Sequence, residues 1–88
     1  MKIKDGFVLR SVMGNNVVIA VGEASKNFRG IVQLNESAAE IWKHISEGKT
    51  RDEICDLMFD KYEVEREALG RDVDKVIAML CDNGLVEL

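Results

Sequence analysis

Residues 28–45 read FRGIVQLNESAAEIWKHI, and within them the hydrophobic pattern changes from that of a strand to that of a helix. The first seven residues, Phe28–Leu34, are rich in β-forming side chains and predict a strand. Asn35 is a good helix N-cap, and Glu36 is favourably placed in the first helical turn. The residues that follow at helical spacing are Ala38, Ile41, Trp42 and Ile45. The chain therefore divides near residue 36 into a strand half and a helical half.

The strand half begins with a predicted hairpin. Residues 7–13, FVLRSVM, and residues 17–21, VVIAV, are both typical of strands. Between them, residues 14–16 read GNN, which is turn chemistry. Two such runs joined by turn residues predict a β-hairpin. With residues 28–34 as the third strand, the sequence predicts a three-stranded antiparallel meander.

The helical half contains two further predicted helices. Thr50 and Glu53 form a capping box that starts the second helix, whose apolar face is Ile54, Leu57, Met58 and Tyr62. The third helix runs from about Glu65 to Asn83, with a core stripe of Leu69, Val73, Val76, Ile77 and Leu80. Gly70 lies inside this helix at a cost of roughly 1 kcal/mol relative to alanine, for which the sequence offers no reason. The overall prediction is one α+β domain over residues 1–88, with residues 85–88 packed as a short tail.

Composition narrows the function classes. The chain has 88 residues with 12 basic and 16 acidic side chains, a net charge of −4. Residues 1–35 hold five basic and two acidic side chains, a net +3, and residues 36–88 hold seven and fourteen, a net −7. An acidic protein is poorly suited to neutralise nucleic-acid phosphates. No apolar run reaches the roughly 18–20 residues that span a bilayer, and residues 1–5 lack a signal stretch, so we expect a cytoplasmic protein.

Catalytic chemistry is poorly represented. The single histidine, His44, is expected to face solvent, and a metal site would need three or four converging ligands. Cys55 and Cys81 lie far apart and are expected to be reduced and to act as small hydrophobic residues. The carboxylates cluster in first helical turns, where the helix dipole stabilises them. We therefore predict no catalytic residue, no metal site and no cofactor.

Three features favour binding. An outer strand at residues 28–34 would leave unpaired backbone groups that serve as a template for another chain. Arg29 either guards this edge or contacts an acidic side chain of an incoming peptide, and the sequence does not decide between the two. The non-core side of the third helix is either a solvated face or a groove for an amphipathic peptide, and it carries Arg71, Asp72, Lys75, Ala78, Met79 and Asp82. Trp42, the only tryptophan, is expected to be a core anchor.

Several segments together resemble one protein family. Residues 30–38, GIVQLNESA, followed by Ile41-Trp42, resemble the G-x-x-x-L-N-E-[ST]-[AG]…[IL]-W segment of PqqD-like proteins. Other matching pieces are Phe7–Arg10, Asn16–Ile19, Gly48–Thr50, Tyr62–Val64, Asp72–Val73 and Asn83–Leu85. The order and spacing of the pieces carry the resemblance, which spans nearly the whole chain.

The resemblance implies a three-stranded sheet followed by three helices in a winged-helix-like arrangement. It implies a non-catalytic domain that binds the leader of a ribosomally made precursor peptide and presents it to a modifying enzyme, often of the radical S-adenosylmethionine type. In that family the leader adds to the third strand and lies against the third helix, and the resemblance implies the same mode here. Carried onto this chain, the peptide-binding residues are Arg29, Gly30, Ile31, Val32, Gln33, Arg71, Asp72, Lys75 and Met79.

Two alternatives stay open on the sequence. A winged-helix nucleic-acid-binding domain would need a basic reading helix, whereas residues 36–88 carry a net −7. A structural subunit could form a homodimer through the same edge strand. The precursor peptide, the partner enzyme and the product, pyrroloquinoline quinone or another, are not encoded in this domain.

Overall fold

The two halves of the chain fold as a sheet and a set of helices in the computed structural model, which describes residues 1–28 and 30–88. The elements in chain order are β1 (Lys2–Ile3), β2 (Phe7–Val12), β3 (Asn15–Ala20), α1 (Ala24–Asn27), β4 (Val32–Leu34), α2 (Glu36–Ser46), α3 (Arg51–Lys61), α4 (Arg66–Asp82) and β5 (Val86–Glu87). Strands β2, β3 and β4 form an antiparallel sheet in that order. The predicted α+β class and its three-stranded sheet are confirmed.

The ends of the chain form a second, smaller sheet. Strand β1 pairs antiparallel with β5, with Lys2 opposite Glu87 and Ile3 opposite Val86. The backbone N–H of Lys4 donates to the carbonyl of Leu85 at 2.9 Å. The expected tail is therefore partly a strand, so the sheets are not confined to the N-terminal half.

The turn of the hairpin begins one residue earlier than predicted and is one residue shorter. Val12 pairs with Asn15, so the connection is the two residues Met13 and Gly14 rather than residues 14–16. Their φ angles are +50° and +81°. Positive φ at both central positions is the type I′ geometry, whose twist matches that of the flanking strands.

Strand β4 is shorter than the predicted strand over residues 28–34. Gly30 has a φ of +103°, a conformation that L side chains rarely adopt and that interrupts an extended strand. Phe28 instead caps α1, and its ring packs edge-on against Phe7 with centroids 5.3 Å apart. Arg29 lies outside the described residues. The strand therefore begins at Val32.

The predicted helix starts are confirmed. The Asn35 side-chain oxygen accepts a hydrogen bond from the Ala38 N–H at 2.9 Å. At the start of α3, the Glu53 N–H donates to the Thr50 hydroxyl at 3.2 Å and the Thr50 N–H donates to the Glu53 carboxylate at 2.9 Å. These bonds satisfy backbone donors that the first helical turn leaves without partners.

The core lies between the sheet and the helices. Trp42 is 4% exposed, which confirms its predicted place in the core. Its fully buried neighbours in the cluster include Val18, Ile54, Val73, Leu80 and Leu85. Leu57, predicted on the apolar face of α3, is instead 42% exposed. It lies at the edge of the face that Ile54 and Met58 bury, so the predicted stripe was too wide.

Gly70 makes room for a side chain from α3. A Cβ at this position would lie 2.9 Å from Nη2 of Arg51. The Arg51 Nη2 donates to the Gly70 carbonyl at 3.4 Å, and the guanidinium makes a bidentate pair with Asp74 at 2.8 and 3.0 Å. The glycine that lacked a reason in the sequence thus allows Arg51 to join α3 to α4.

Acid should destabilise the fold through two carboxylates. The Arg51 guanidinium lowers the pKa of Asp74, and the Thr50 backbone N–H lowers the pKa of Glu53, from usual values of 3.8 and 4.5. A pKa that folding depresses contributes stability above the unfolded pKa and loses it as the pH falls through the folded pKa. We therefore expect the urea midpoint to fall as the pH drops from about 5 to about 3.

The matched variant for this prediction is the double substitution Asp74→Asn and Glu53→Gln, which should have a flatter pH profile than the wild type. Urea titrations followed by circular dichroism at several pH values measure both. Parallel profiles for the two proteins would show that these carboxylates do not carry the acid sensitivity.

Candidate functional site

The hairpin register fixes which backbone groups of the sheet face outward. The Val21 N–H donates to the Gly6 carbonyl at 2.7 Å, and these residues continue the register that pairs Phe7 with Ala20. In an antiparallel ladder, hydrogen-bonded and non-hydrogen-bonded pairs alternate. The backbone groups of the odd-numbered residues of β3 therefore point toward β2, and those of the even-numbered residues point toward β4.

The same alternation leaves the backbone N–H and C=O of one residue of β4 without a partner in the sheet. Val18 pairs with Val32 and Asn16 with Leu34. Because the backbone groups of Val18 and Asn16 point toward β4, both are hydrogen-bonded pairs. The N–H and C=O of Gln33 consequently point away from β3. Because β4 is the last strand of the sheet, these two groups face the free edge and are placed to pair with an added strand.

The side chains around this edge differ in exposure. Val32 is half-buried and packs against the core cluster, whereas Leu34 is 3% exposed. Ile31, just before the strand, is 62% exposed. The Gln33 Nε2 donates to the Asn15 side-chain oxygen at 3.3 Å on the other face of the sheet. Gly30 is exposed.

An apolar pocket of about 240 Å³ lies among α2, α3 and α4. It is lined by Ser37 and Ile41 of α2, Met58 of α3, Tyr62 and Val64 of the following loop, and Leu69, Asp72, Val73 and Val76 of α4. Ser37 lies in the first turn of α2, three residues beyond Leu34. The first turn of the helix that follows β4 therefore lines the pocket.

The predicted residues of α4 fall on different sides of the helix. Asp72, Val76 and Met79 are spaced i, i+4 and i+7 and follow one line on the helix surface. Asp72 and Val76 line the pocket, and Met79 is half-buried and packs against the core. Arg71 instead lines a separate cleft with residues of α3, among them Arg51 and Cys55. Lys75 is exposed on the helix surface between Arg71 and the line formed by Asp72, Val76 and Met79.

Only Asp72 of the nine pocket residues was predicted as part of a site, and the other eight, among them Ser37, Tyr62, Val64 and Val76, were not. Val76 was placed in the core stripe, and Tyr62 on the apolar face of α3. Met79 widens the apolar stripe of α4 on the side of Val76, and this added width is the signal that could have indicated an apolar surface there. Ser37 and Val64 reach the pocket only through the packing of three helices, for which the sequence carries no local signal.

One cluster of polar side chains fixes the wall of the pocket. The Tyr62 hydroxyl donates to Glu40 Oε1 at 3.3 Å, and the Lys61 ammonium donates to the same oxygen. Burial raises the pKa of the Tyr62 phenol, and the nearby Glu40 carboxylate adds to the increase. The phenol is thus protonated at neutral pH and joins the end of α3 to α2.

The two other candidate reactive side chains, Cys55 and His44, do not line the apolar pocket. Burial raises the pKa of the Cys55 thiol, which lowers its nucleophilicity at neutral pH. His44 has 21% of its side chain exposed, with Nδ1 3.4 Å from Glu47 Oε1. It is therefore partly buried, not solvent-facing as predicted.

Within residues 1–28 and 30–88, no group of three or more metal-ligating side chains converges. No helix in this part of the chain is long and apolar enough to cross a membrane.

Comparison with known proteins places this geometry in a family. The family model "Coenzyme PQQ synthesis protein D (PqqD)" matches residues 17–86. The chain belongs to the PqqD family. The match covers the hairpin from β3 onward, β4 and the three long helices, so the PqqD-family assignment includes both the strand edge and the pocket. A comparison with curated proteins finds no match.

Two solved structures share the PqqD-family fold of this chain. "TbiB1 in complex with the TbiA(beta) leader peptide" is 26% identical, has a TM-score of 0.81, and the alignment covers 99% of this chain and 95% of that chain. "Lasso peptide synthetase B1 complexed with the leader peptide" is 21% identical, has a TM-score of 0.81, and the alignment covers 99% of this chain and 96% of that chain. At this lower identity the second similarity concerns the fold alone.

Proposed function

We propose that this PqqD-family chain is a non-catalytic adaptor that captures the leader of a ribosomally made precursor peptide by strand addition. The whole of residues 1–88 acts as one recognition domain and presents the peptide to a modifying enzyme, for which the radical S-adenosylmethionine class is a candidate. The observation that carries the proposal is the free edge of β4 at Gln33, and the apolar pocket lined by the first turn of the next helix adds to it. The similarity to TbiB1, solved with a leader peptide, supports it.

The affinity of this mode comes from the backbone. Main-chain hydrogen bonds to an added strand tolerate many sequences, and pockets for alternate side chains supply selectivity. In this chain the Gln33 N–H and C=O offer the main-chain bonds. Side chains of the leader that point toward the helices would meet Val32 and the line of Asp72, Val76 and Met79 on α4.

The remaining predicted residues take more peripheral places in this proposal. Ile31 extends the contact before β4, and Gly30 and Arg29 precede it in the chain. Lys75 lies at the exposed rim, where its charge would attract acidic leader residues. Arg71 belongs to the cleft on the α3 side, so we expect its substitution to affect leader binding less than that of Asp72.

A non-catalytic role fits the chemistry of the pocket. Apart from Asp72 and Tyr62, its lining residues carry no ionisable side chain. The phenol of Tyr62 is held protonated by burial and by the adjacent Glu40 carboxylate. One carboxylate and one protonated phenol do not supply an acid–base pair poised near neutral pH, whereas the apolar wall suits recognition.

Fluorescence anisotropy tests this proposal. The purified chain is titrated into fluorescein-labelled leaders of the short precursor peptides encoded nearest to its gene, and each leader is compared with a scrambled peptide of equal composition. We expect saturable binding of one leader and none of its scrambled form. Equal binding of both peptides, or binding of neither, would contradict the proposal. A labelled DNA duplex in the same assay tests the nucleic-acid alternative.

A further inference from the structure

The sheet has a second face that the core does not use. Phe7 and Leu9 of β2 and Val18 of β3 pack against the core cluster. Because successive side chains of a strand point to opposite faces, their neighbours point to the other side. We call this set the outer sheet face, and it consists of Val8, Arg10 and Val12 of β2, Asn15, Val17 and Ile19 of β3, and Gln33 of β4.

The outer sheet face is mostly apolar and partly open. Val12 is 51% exposed, Val8 and Ile19 are half-buried, and Val17 is 6% exposed. None of its four valine and isoleucine side chains belongs to the core cluster or packs against it. Antiparallel sheets commonly keep one face solvated, with polar residues on it. An apolar sheet face outside the core cluster is the type of surface that marks an interaction site.

The charge on this face indicates the kind of partner. Arg10 is exposed, is the only ionisable residue of the set, and lies beside Val17 in the register. The outer sheet face as defined contains no carboxylate. Two copies packed face to face about a twofold axis would therefore bring two arginines together without a counter-charge, which is destabilising. The face instead suits an apolar surface that carries an acidic side chain opposite Arg10.

The position of the face relative to β4 identifies that partner further. Gln33 belongs both to the outer sheet face and to the free edge of the sheet. A leader added at this edge would extend the same sheet and would place every second side chain on the same side as Arg10 and Val12. We infer that the outer sheet face is the docking surface for the enzyme that modifies the bound peptide, through an apolar patch with a carboxylate opposite Arg10. This inference rests on the proposed function.

Site-specific photocrosslinking in the source cells tests the inference. A photoreactive phenylalanine analogue replaces Val12 in the full chain, and a control chain carries it at the exposed Lys43 of α2. Mass spectrometry identifies the crosslinked proteins. We expect a peptide-modifying enzyme to crosslink at position 12 and not at position 43. A second copy of this chain, or no product beyond that of the control, would overturn the inference.

The enzyme identified in this way is then purified and its affinity for variants is measured by biolayer interferometry, without leader present. Arg10→Glu should weaken enzyme binding by about tenfold or more, whereas the charge reversal Lys43→Glu should bind as the wild type does. Leader affinity, measured separately by anisotropy, should be equal in both variants. Unchanged enzyme binding by Arg10→Glu would overturn the docking surface, and a failure of the wild type to bind any leader would instead overturn the proposed function.

Discussion

Replacing Gln33 with proline should abolish or severely weaken leader binding while the domain stays folded. The Gln33 N–H points to the free edge of β4, so its removal costs the sheet no internal hydrogen bond, and proline is tolerated on edge strands. The bound leader would lose a donor and leave one of its carbonyls without a partner. An unsatisfied buried group costs about 1–3 kcal/mol, so we expect affinity to fall by about 5- to 150-fold.

Two control variants separate the backbone from the side chain and from the fold. Gln33→Ala keeps the backbone N–H and should bind the leader nearly as the wild type does. Val32→Pro removes an N–H that bonds to β3 and should destabilise the sheet, which thermal unfolding measures. Wild-type affinity in a folded Gln33→Pro variant would show that the leader does not pair with this edge.

Replacing Trp42 with alanine should unfold much of the population rather than remove binding selectively. The indole is 4% exposed within the core cluster, and truncating a buried Trp costs about 3–5 kcal/mol. A domain of this length has a total stability of about 4–13 kcal/mol. We therefore expect a large loss of free energy of unfolding, measured by urea titration with circular dichroism because the only tryptophan is removed.

The matched control for Trp42 is Leu57→Ala on α3. Leu57 is 42% exposed, and substitutions at exposed sites usually change stability by within about 0.5 kcal/mol. A Trp42→Ala variant with wild-type stability and no leader binding would contradict the structural role of the indole and would place it in the binding site instead.

The local signals of the sequence predicted the elements that position the site. The caps at Asn35 and Thr50 and the stripe on α4 depend on residues close in sequence and are confirmed. The β-rich runs do form the three strands, but with other bounds than predicted. The β1–β5 pair was not predicted, because two-residue strands carry no periodicity and their pairing joins the two ends of the chain. Positive φ at Met13 and Gly30 shifted the hairpin turn and shortened β4.

The candidate site could be predicted from the sequence only in part. The free edge follows from strand order, so Gln33 could be predicted from the sequence. The pocket depends on how three helices converge, and Ser37 and Val64 reach it only through that packing. Arg71 and Asp72 line different clefts because of how α4 is rotated about its axis against the other helices. The one-turn spacing of Arg71, Lys75 and Met79 in the sequence does not determine that rotation.

The most direct test of strand addition is amide hydrogen exchange of β4, measured by NMR with and without the leader. In the free chain, the amides of Val32 and Leu34 bond to β3 and should exchange slowly, while the Gln33 amide faces solvent and should exchange rapidly. If the leader adds as a strand, saturating leader should slow exchange at Gln33 and leave the other two nearly unchanged. Rapid exchange at Gln33 in the fully bound complex would contradict the account.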